Sequence, residues 1–233
     1  MIAGLQKMTL LDFPGKVACT VFLRGCNYRC PFCHNSELLG PGEDLMDVEA
    51  LLRFLKSRQG LLDGVCITGG EPTLQPGLPA LLAQIKDLGF LVKLDTNGTR
   101  PAVVKALAQK GLLDYVAVDA KNGPEAWAAT VGLETVDLGP VEETVRFLIE
   151  GNVDYELRTT LVEPLHTEES IRQLGAWLMG LVPGKKPKKL FLQSFVDRDT
   201  VPFAGLSAPD PEAVKRYGAI LEPCAEEVTI RNL

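Results

Sequence analysis

No segment of the 233-residue chain approaches the ~20 apolar residues that a membrane-spanning helix needs, so no membrane partner is expected. A surplus of positive charge is also missing. The chain has 24 Lys and Arg against 30 Asp and Glu, a net charge of −6, whereas nucleic-acid binders carry a basic excess on one face. The one basic run, GKKPKK at 184–189, reads as a solvated loop beside Pro183 and Pro187. The opening stretch MIAGLQKMTLLDFPGK has no long apolar core and no small-residue cleavage site, so no secretory signal is expected. Long-spaced cysteine pairs, the mark of a disulfide framework, are absent as well. Together these absences point to a reducing cytoplasm, where clustered cysteines bind metal or act in catalysis.

Such a cluster is present. Three of the six cysteines, Cys26, Cys30 and Cys33, fall within GCNYRCPFCHN at 25–35, a Cys-x3-Cys-x2-Cys spacing with no fourth thiol nearby. Thiolates are soft ligands that suit zinc, copper(I) and iron–sulfur clusters. Zinc in a structural site needs four closed ligands, and His34 could complete the set. It adjoins Cys33, however, and neighbouring residues seldom converge on one ion. A four-iron cluster usually takes four cysteines; three leave one iron open, which marks a catalytic site where a substrate supplies the last ligands. Cys19 and Cys66 lie in apolar runs and Cys224 follows Pro223, so these three read as structural.

Brief Val-, Leu- and Ile-rich runs at 17–23, 64–70, 90–96, 115–120, 153–160 and 188–195 read as buried parallel strands. Segments of helical period fill the gaps. They include 47–58 with Asp47 as N-cap, 76–88 closed by Gly89, and a helix opened by Pro101 and closed by Gly111. Others end before Gly151, start at Thr167, and start at Asp210-Pro211. Six βα units with right-handed crossovers predict an α/β fold, an open partial TIM barrel (β/α)6 with a mostly parallel sheet, as a single domain over 1–233. A flat doubly wound sheet is the alternative. In both, ligands sit at the carboxyl ends of the strands.

The x3/x2 triplet after the first of these strands resembles the signature of radical S-adenosylmethionine enzymes. The resemblance implies a [4Fe-4S] cluster on Cys26, Cys30 and Cys33, with the amino and carboxylate groups of S-adenosylmethionine on the fourth iron. It also implies cofactor contacts from Phe32, at the family's adenine-facing position, and from His34. The TGGEP motif at 68–72 places Gly69, Gly70 and Glu71 at a strand end, where glycines let backbone approach a ligand, and it resembles the family's GGE motif.

LDTNG (94–98) and VDAK (118–121) bring Asp95, Thr96, Asp119 and Lys121 to further strand ends; Asn97-Gly98 also reads as a plain turn. Two carboxylates facing an anionic cofactor repel it unless a cation intervenes. Similarity to glycyl-radical-enzyme activases implies a monovalent cation, Na+ or K+, at Asp95, Thr96 and Asp119, and a cofactor-facing Arg158. A strand-end ion pair of Arg158 with Asp154 or Glu156 is the plainer alternative. LQSF on the last of these strands departs from activases that carry a histidine there, leaving Gln193 as the candidate ribose contact.

GLQKMTLLDFPGKVACTVFLRGCNYRCPFCHNSELL looks most like the activating proteins of anaerobic ribonucleoside-triphosphate reductases, and CHN is shared with pyruvate formate-lyase activases. The implied activity is reductive cleavage of S-adenosylmethionine to a 5′-deoxyadenosyl radical that abstracts hydrogen from a glycine of a partner enzyme. Six units consume nearly the whole chain and leave no lid, which favours a macromolecular substrate that shields the radical itself. With no second cysteine cluster, electrons must come from a flavodoxin or ferredoxin. The competing readings are a radical enzyme acting on a small molecule or peptide, and a non-enzymatic zinc-binding module.

Overall fold

The structure is a computed structural model and describes residues 1–40, 42, 43 and 45–231. It falls into two compact units: Met1–Asn27 with Glu37–Thr96 and Arg100–Ala117, and Tyr28–Ser36 with Asn97–Thr99 and Val118–Leu233.

In the first unit, β1 (Ile2–Thr9) pairs antiparallel with β2 (Ala18–Leu23). β3 (Gly64–Gly69) and β4 (Leu91–Thr96) then add in parallel. Three helices accompany them: α1 (Val48–Lys56), α2 (Leu78–Asp87) and α3 (Pro101–Gln109). Asp47 caps α1 by accepting from Ala50 N at 2.6 Å, and Pro101 opens α3 where a missing N–H costs nothing. Leu51, Leu55, Leu78, Leu82, Ile85 and Val104 on the helices, and Val21, Val65, Ile67, Val92 and Leu94 on the strands, are fully buried. Each such side chain stabilises the fold by about 1.5–3 kcal/mol relative to exposure.

Residues of the second unit begin within β5 (Tyr115–Asp119) and continue through α4 (Pro124–Val131) and α5 (Gly139–Ile149). β6 (Asp154–Leu161), α6 (Glu168–Leu181), β7 (Lys189–Ser194), α7 (Pro211–Leu221) and β8 (Glu227–Arg231) complete it. β6, β7 and β8 are mutually parallel neighbours. A capping box holds the start of α6, with Thr167 and Ser170 side chains bonding each other's backbone N–H at 3.2 and 3.0 Å.

Among the described residues the eight strands form one sheet ordered β1 to β8, open at both edges. The α/β, mostly parallel, open reading therefore holds, and six of the eight strands lie where the apolar runs place them. The six expected βα units run from β2 to α7, and β1 and β8 are two further strands at the edges. Neither shows a continuous apolar run: β1 is exposed from Gln6 to Met8, and β8 is only partly buried. Helix α4 is also additional to the expected set.

Candidate functional site

In the first unit, the ends of β2 and β3 cross at close range. Parallel register sets Leu23 beside Gly69, and the chain beyond continues this pairing, with Gly70 N donating to Leu23 O (2.8 Å) and Glu71 N to Gly25 O (2.7 Å). A Cβ on Gly69 (φ 118°) would stand 2.3 Å from Leu23 O. The glycines expected to admit a ligand are thus required by the protein's own backbone, one residue before Cys26.

Glu71 is fully buried. Its Oε1 accepts from Thr73 N (3.0 Å), from the Thr73 hydroxyl, and from Thr96 Oγ1 (2.7 Å). This carboxylate ties the end of β3 to the end of β4, a role that the motif alone does not reveal. Asp95 pairs with Lys93, two residues back on the same face of β4, and Lys93 is 1% exposed.

In the second unit, the loop carrying Cys30, Phe32, Cys33 and His34 is held from two sides. Arg29 N donates to Val131 O at 2.8 Å, and a Cβ on Gly132 at the end of α4 would stand 2.0 Å from Arg29 O. On the other side, the His34 ring stacks on Phe195 (5.7 Å, 12°), and its Nε2 lies 2.7 Å from Val196 O. Ser36 Oγ donates to Thr200 O. His34, read as a cofactor contact, therefore fastens this loop to the segment after β7.

Asp119, at the end of β5, receives Lys121 Nζ at 2.8 Å and Arg158 Nη2 at 3.2 Å. Burial opposes its ionisation, but the Lys121 and Arg158 cations outweigh burial and hold its carboxyl at about 2. Burial likewise pushes against the charge on Lys121, and the Asp119 carboxylate raises its pKa in spite of this. The Lys121 ammonium lies 5.8 Å from the centroid of the Phe32 ring, within cation–π range. Burial pushes the Cys30 thiol up, and Lys121 pulls against that rise. Arg158 thus finds its partner on β5, while Glu156 pairs with Arg231 at 3.4 Å. Gln193 Nε2 donates to Thr160 Oγ1 (3.0 Å), its register partner on β6. Asn97 Oδ1 accepts from Thr99 N at 3.1 Å, so the Asn97-Gly98 turn is as expected.

The reason given for a monovalent cation is corrected by these pairs. Asp95 already carries Lys93, and Asp119 already carries both Lys121 and Arg158, so neither carboxylate needs an ion to offset its charge. Two buried polar residues stand outside the expected set, Asn122 and His166, which are 0% and 2% exposed. The available signal was placement: both lie just beyond a strand's carboxyl end, and His166 is one of only two histidines.

All six cysteines are free thiols. Cys19 and Cys66 are fully buried, and burial pushes the Cys19 thiol up to about 12. A Cβ on Gly175 of α6 would stand 2.8 Å from the Cys224 Sγ, placing that thiol against a helix. The soft donor set of the 26–33 segment is therefore three thiols, which fits a four-iron cluster with one iron left for a substrate. Among the described residues no three His, Cys, Asp or Glu side chains converge as ligands of a single metal ion; thiolates that each bind a different iron need not converge.

Residues 20–176 match the family model described as the Radical SAM superfamily. A Methanocaldococcus jannaschii protein, provisionally named as a glycyl-radical enzyme activating enzyme, is 30% identical over 240 residues, covering 100% of this chain and 96% of that one. The 7-carboxy-7-deazaguanine synthase of Neisseria meningitidis serogroup B is 33% identical over 139 residues, 60% of this chain and 57% of that one. Among solved structures, Streptococcus suis SuiB bound to its precursor peptide SuiA superposes with a TM-score of 0.70 at 13% identity. The match covers 91% of this chain and 48% of SuiB, and it is a likeness of fold.

Proposed function

The chain belongs to the Radical SAM superfamily, and from that premise we propose that it activates a glycyl-radical enzyme, working as one domain over 1–233. The observation that carries this reading is the match, over 100% of this chain and 96% of that one, to a relative provisionally named as an activating enzyme. The similarity to the deazaguanine synthase, which supports a small-molecule substrate instead, covers 60% of this chain.

In this reading Cys26, Cys30 and Cys33 would each hold one iron of a [4Fe-4S] cluster and leave the fourth to S-adenosylmethionine. A cluster held there would supply the one electron needed to cleave S-adenosylmethionine to methionine and a 5′-deoxyadenosyl radical. The Gly69 and Gly70 carbonyls, with Glu71, would accept from the methionine ammonium. Phe32 and His34 stand on the cysteine loop, where Phe32 would face the adenine. Lys121 and Arg158 would offer positive charge to the cofactor's carboxylate, in place of Na+ or K+. Thr96 acts through Glu71, and Gln193 is the candidate partner of the ribose.

Reducing equivalents come from a flavodoxin or ferredoxin in an anaerobic cytoplasm. The partner is an anaerobic ribonucleoside-triphosphate reductase, by the resemblance of residues 4–39. Anaerobic incubation of reduced protein, S-adenosylmethionine and that reductase tests the reading. It should yield 5′-deoxyadenosine in step with a glycyl radical; rapid 5′-deoxyadenosine formation with a small metabolite alone would replace the activase reading with the synthase-like one.

A further inference from the structure

Beyond β5 the chain is held residue by residue. Thr159 Oγ1 donates to Ala120 O (2.7 Å), and His166 Nε2 lies 2.8 Å from Lys121 O. Asn122 Nδ2 donates to Leu165 O (2.8 Å) and Thr130 Oγ1 (3.0 Å), and its Oδ1 accepts from Gly123 N (2.8 Å). The clamping side chains of Thr159, His166, Asn122 and Thr130 are at most 2% exposed. In a dry setting, satisfied polar networks specify one geometry.

The clamp also fixes the state of His166. Val162 N donates to Nδ1 at 3.1 Å, so Nδ1 is the acceptor. The Lys121 carbonyl can only accept, so the proton of the neutral ring is on Nε2. Nδ1 also lies 3.3 Å from Val162 O, but the neutral ring has one proton and the nearer Lys121 carbonyl takes it. Tyr217 OH donates to His166 O at 3.3 Å, holding the residue from the far side. With its carbonyl gripped, the Lys121 peptide cannot turn, and its side chain is aimed at Asp119 (2.8 Å) and over Phe32 (5.8 Å).

We infer that His166 is a positioning residue: by gripping the Lys121 carbonyl it holds the Lys121 ammonium between Asp119 and Phe32, so that a fixed positive charge faces the cysteine loop. The inference rests on the cluster reading above, and it assigns the loop after β6 a part in tuning that cluster. A fixed cation beside an iron–sulfur cluster favours the reduced, more negative form and raises its potential.

Two substitutions separate the grip from the fold. His166→Asn can still accept from Val162 N, but its amide is too short to reach Lys121 O. His166→Gln reaches Lys121 O with its Nε2. In redox titrations of reconstituted protein, His166→Asn should shift the cluster midpoint to more negative values, and His166→Gln should restore it. Lys121→Gln should produce a similar shift, and adding His166→Asn in that background should change nothing further. An unshifted midpoint in His166→Asn, or shifts that add in the double variant, overturns the inference.

A second measurement needs no cluster. In the cluster-free protein, the imidazole nitrogen resonances should show His166 protonated at Nε2. His166→Asn should move the Phe32 ring resonances, and His166→Gln should leave them in place. The opposite tautomer, or Phe32 resonances indifferent to His166→Asn, overturns the inference as well. Failure of the wild type to bind iron would instead sink the cluster reading, while the resonance measurements still decide whether His166 positions Lys121.

Discussion

A Cβ atom on Gly70 would stand 2.1 Å from the carbonyl oxygen of Gly25, the same oxygen that accepts from Glu71 N at 2.7 Å. Backbone, not a flexible side chain, occupies the space, so Gly70→Ala must push the end of β3 away from the residue preceding Cys26. It should destabilise the protein by about 1–3 kcal/mol or more and impair iron uptake. Gly40→Ala, with nothing within 4 Å of the added carbon, should be neutral. Chemical denaturation and iron analysis of both variants check this.

Replacing Cys26, Cys30 or Cys33 individually by Ala should abolish cluster assembly, because three thiolates are the smallest set that holds the proposed cluster. Cys224→Ala should retain full iron and sulfide content, since that thiol lies against α6. Loss of iron in the Cys224 variant would show that the donor set is wrong.

Activity should be nearly the same in Na+, K+ or a bulky organic cation at equal ionic strength. The Lys93–Asp95 pair and the Lys121–Asp119–Arg158 group already balance the carboxylates that the resemblance assigns to a bound ion. Asp119→Ala should raise the KM for S-adenosylmethionine with iron content near normal, because Lys121 and Arg158 lose their shared anchor. A strong, selective requirement for one alkali cation would restore the ion site.

Burial lowers the pKa of His166, with its two backbone hydrogen bonds and Lys121 as smaller influences. The sign follows by linkage. The unfolded histidine titrates near ~6.5, and the folded one lower. The contribution is therefore complete above ~6.5 and is lost as pH falls from there through the folded pKa. Unfolding midpoints in urea should drop between about pH 8 and about pH 5.5, and drop less in His166→Asn. Equal drops in both proteins would mean that other groups carry the pH dependence.

The strands legible from sequence are those buried on both faces: VACTVFL and GVCITGG announce β2 and β3 because packing on both sides demands apolar residues throughout. β1 and β8 lie at the edges, where that demand lapses, and α4 is a two-turn helix bounded by Gly123 and Gly132 whose apolar pattern is weak. The cysteine triplet was readable because its three thiols are close in sequence. The partners of Asp119 were not, since Arg158 reaches it from a strand 39 residues away. Lys93–Asp95 could have been read from the two-residue period of a strand. The Gly69-Gly70 pair was seen, but its backbone clash with Leu23 and Gly25 depends on how two distant strands end together.

The most direct test of the central claim is electron spin resonance of the anaerobic reaction. The reduced, reconstituted protein, S-adenosylmethionine and an anaerobic ribonucleoside-triphosphate reductase should give the doublet of a glycyl radical. That doublet should be absent when the reductase's glycine is replaced by alanine or when Cys30→Ala protein is used. If no glycyl-radical enzyme gives the doublet although the cluster forms and S-adenosylmethionine is cleaved, the chain is a radical enzyme whose substrate is not a partner's glycine, and the account is contradicted.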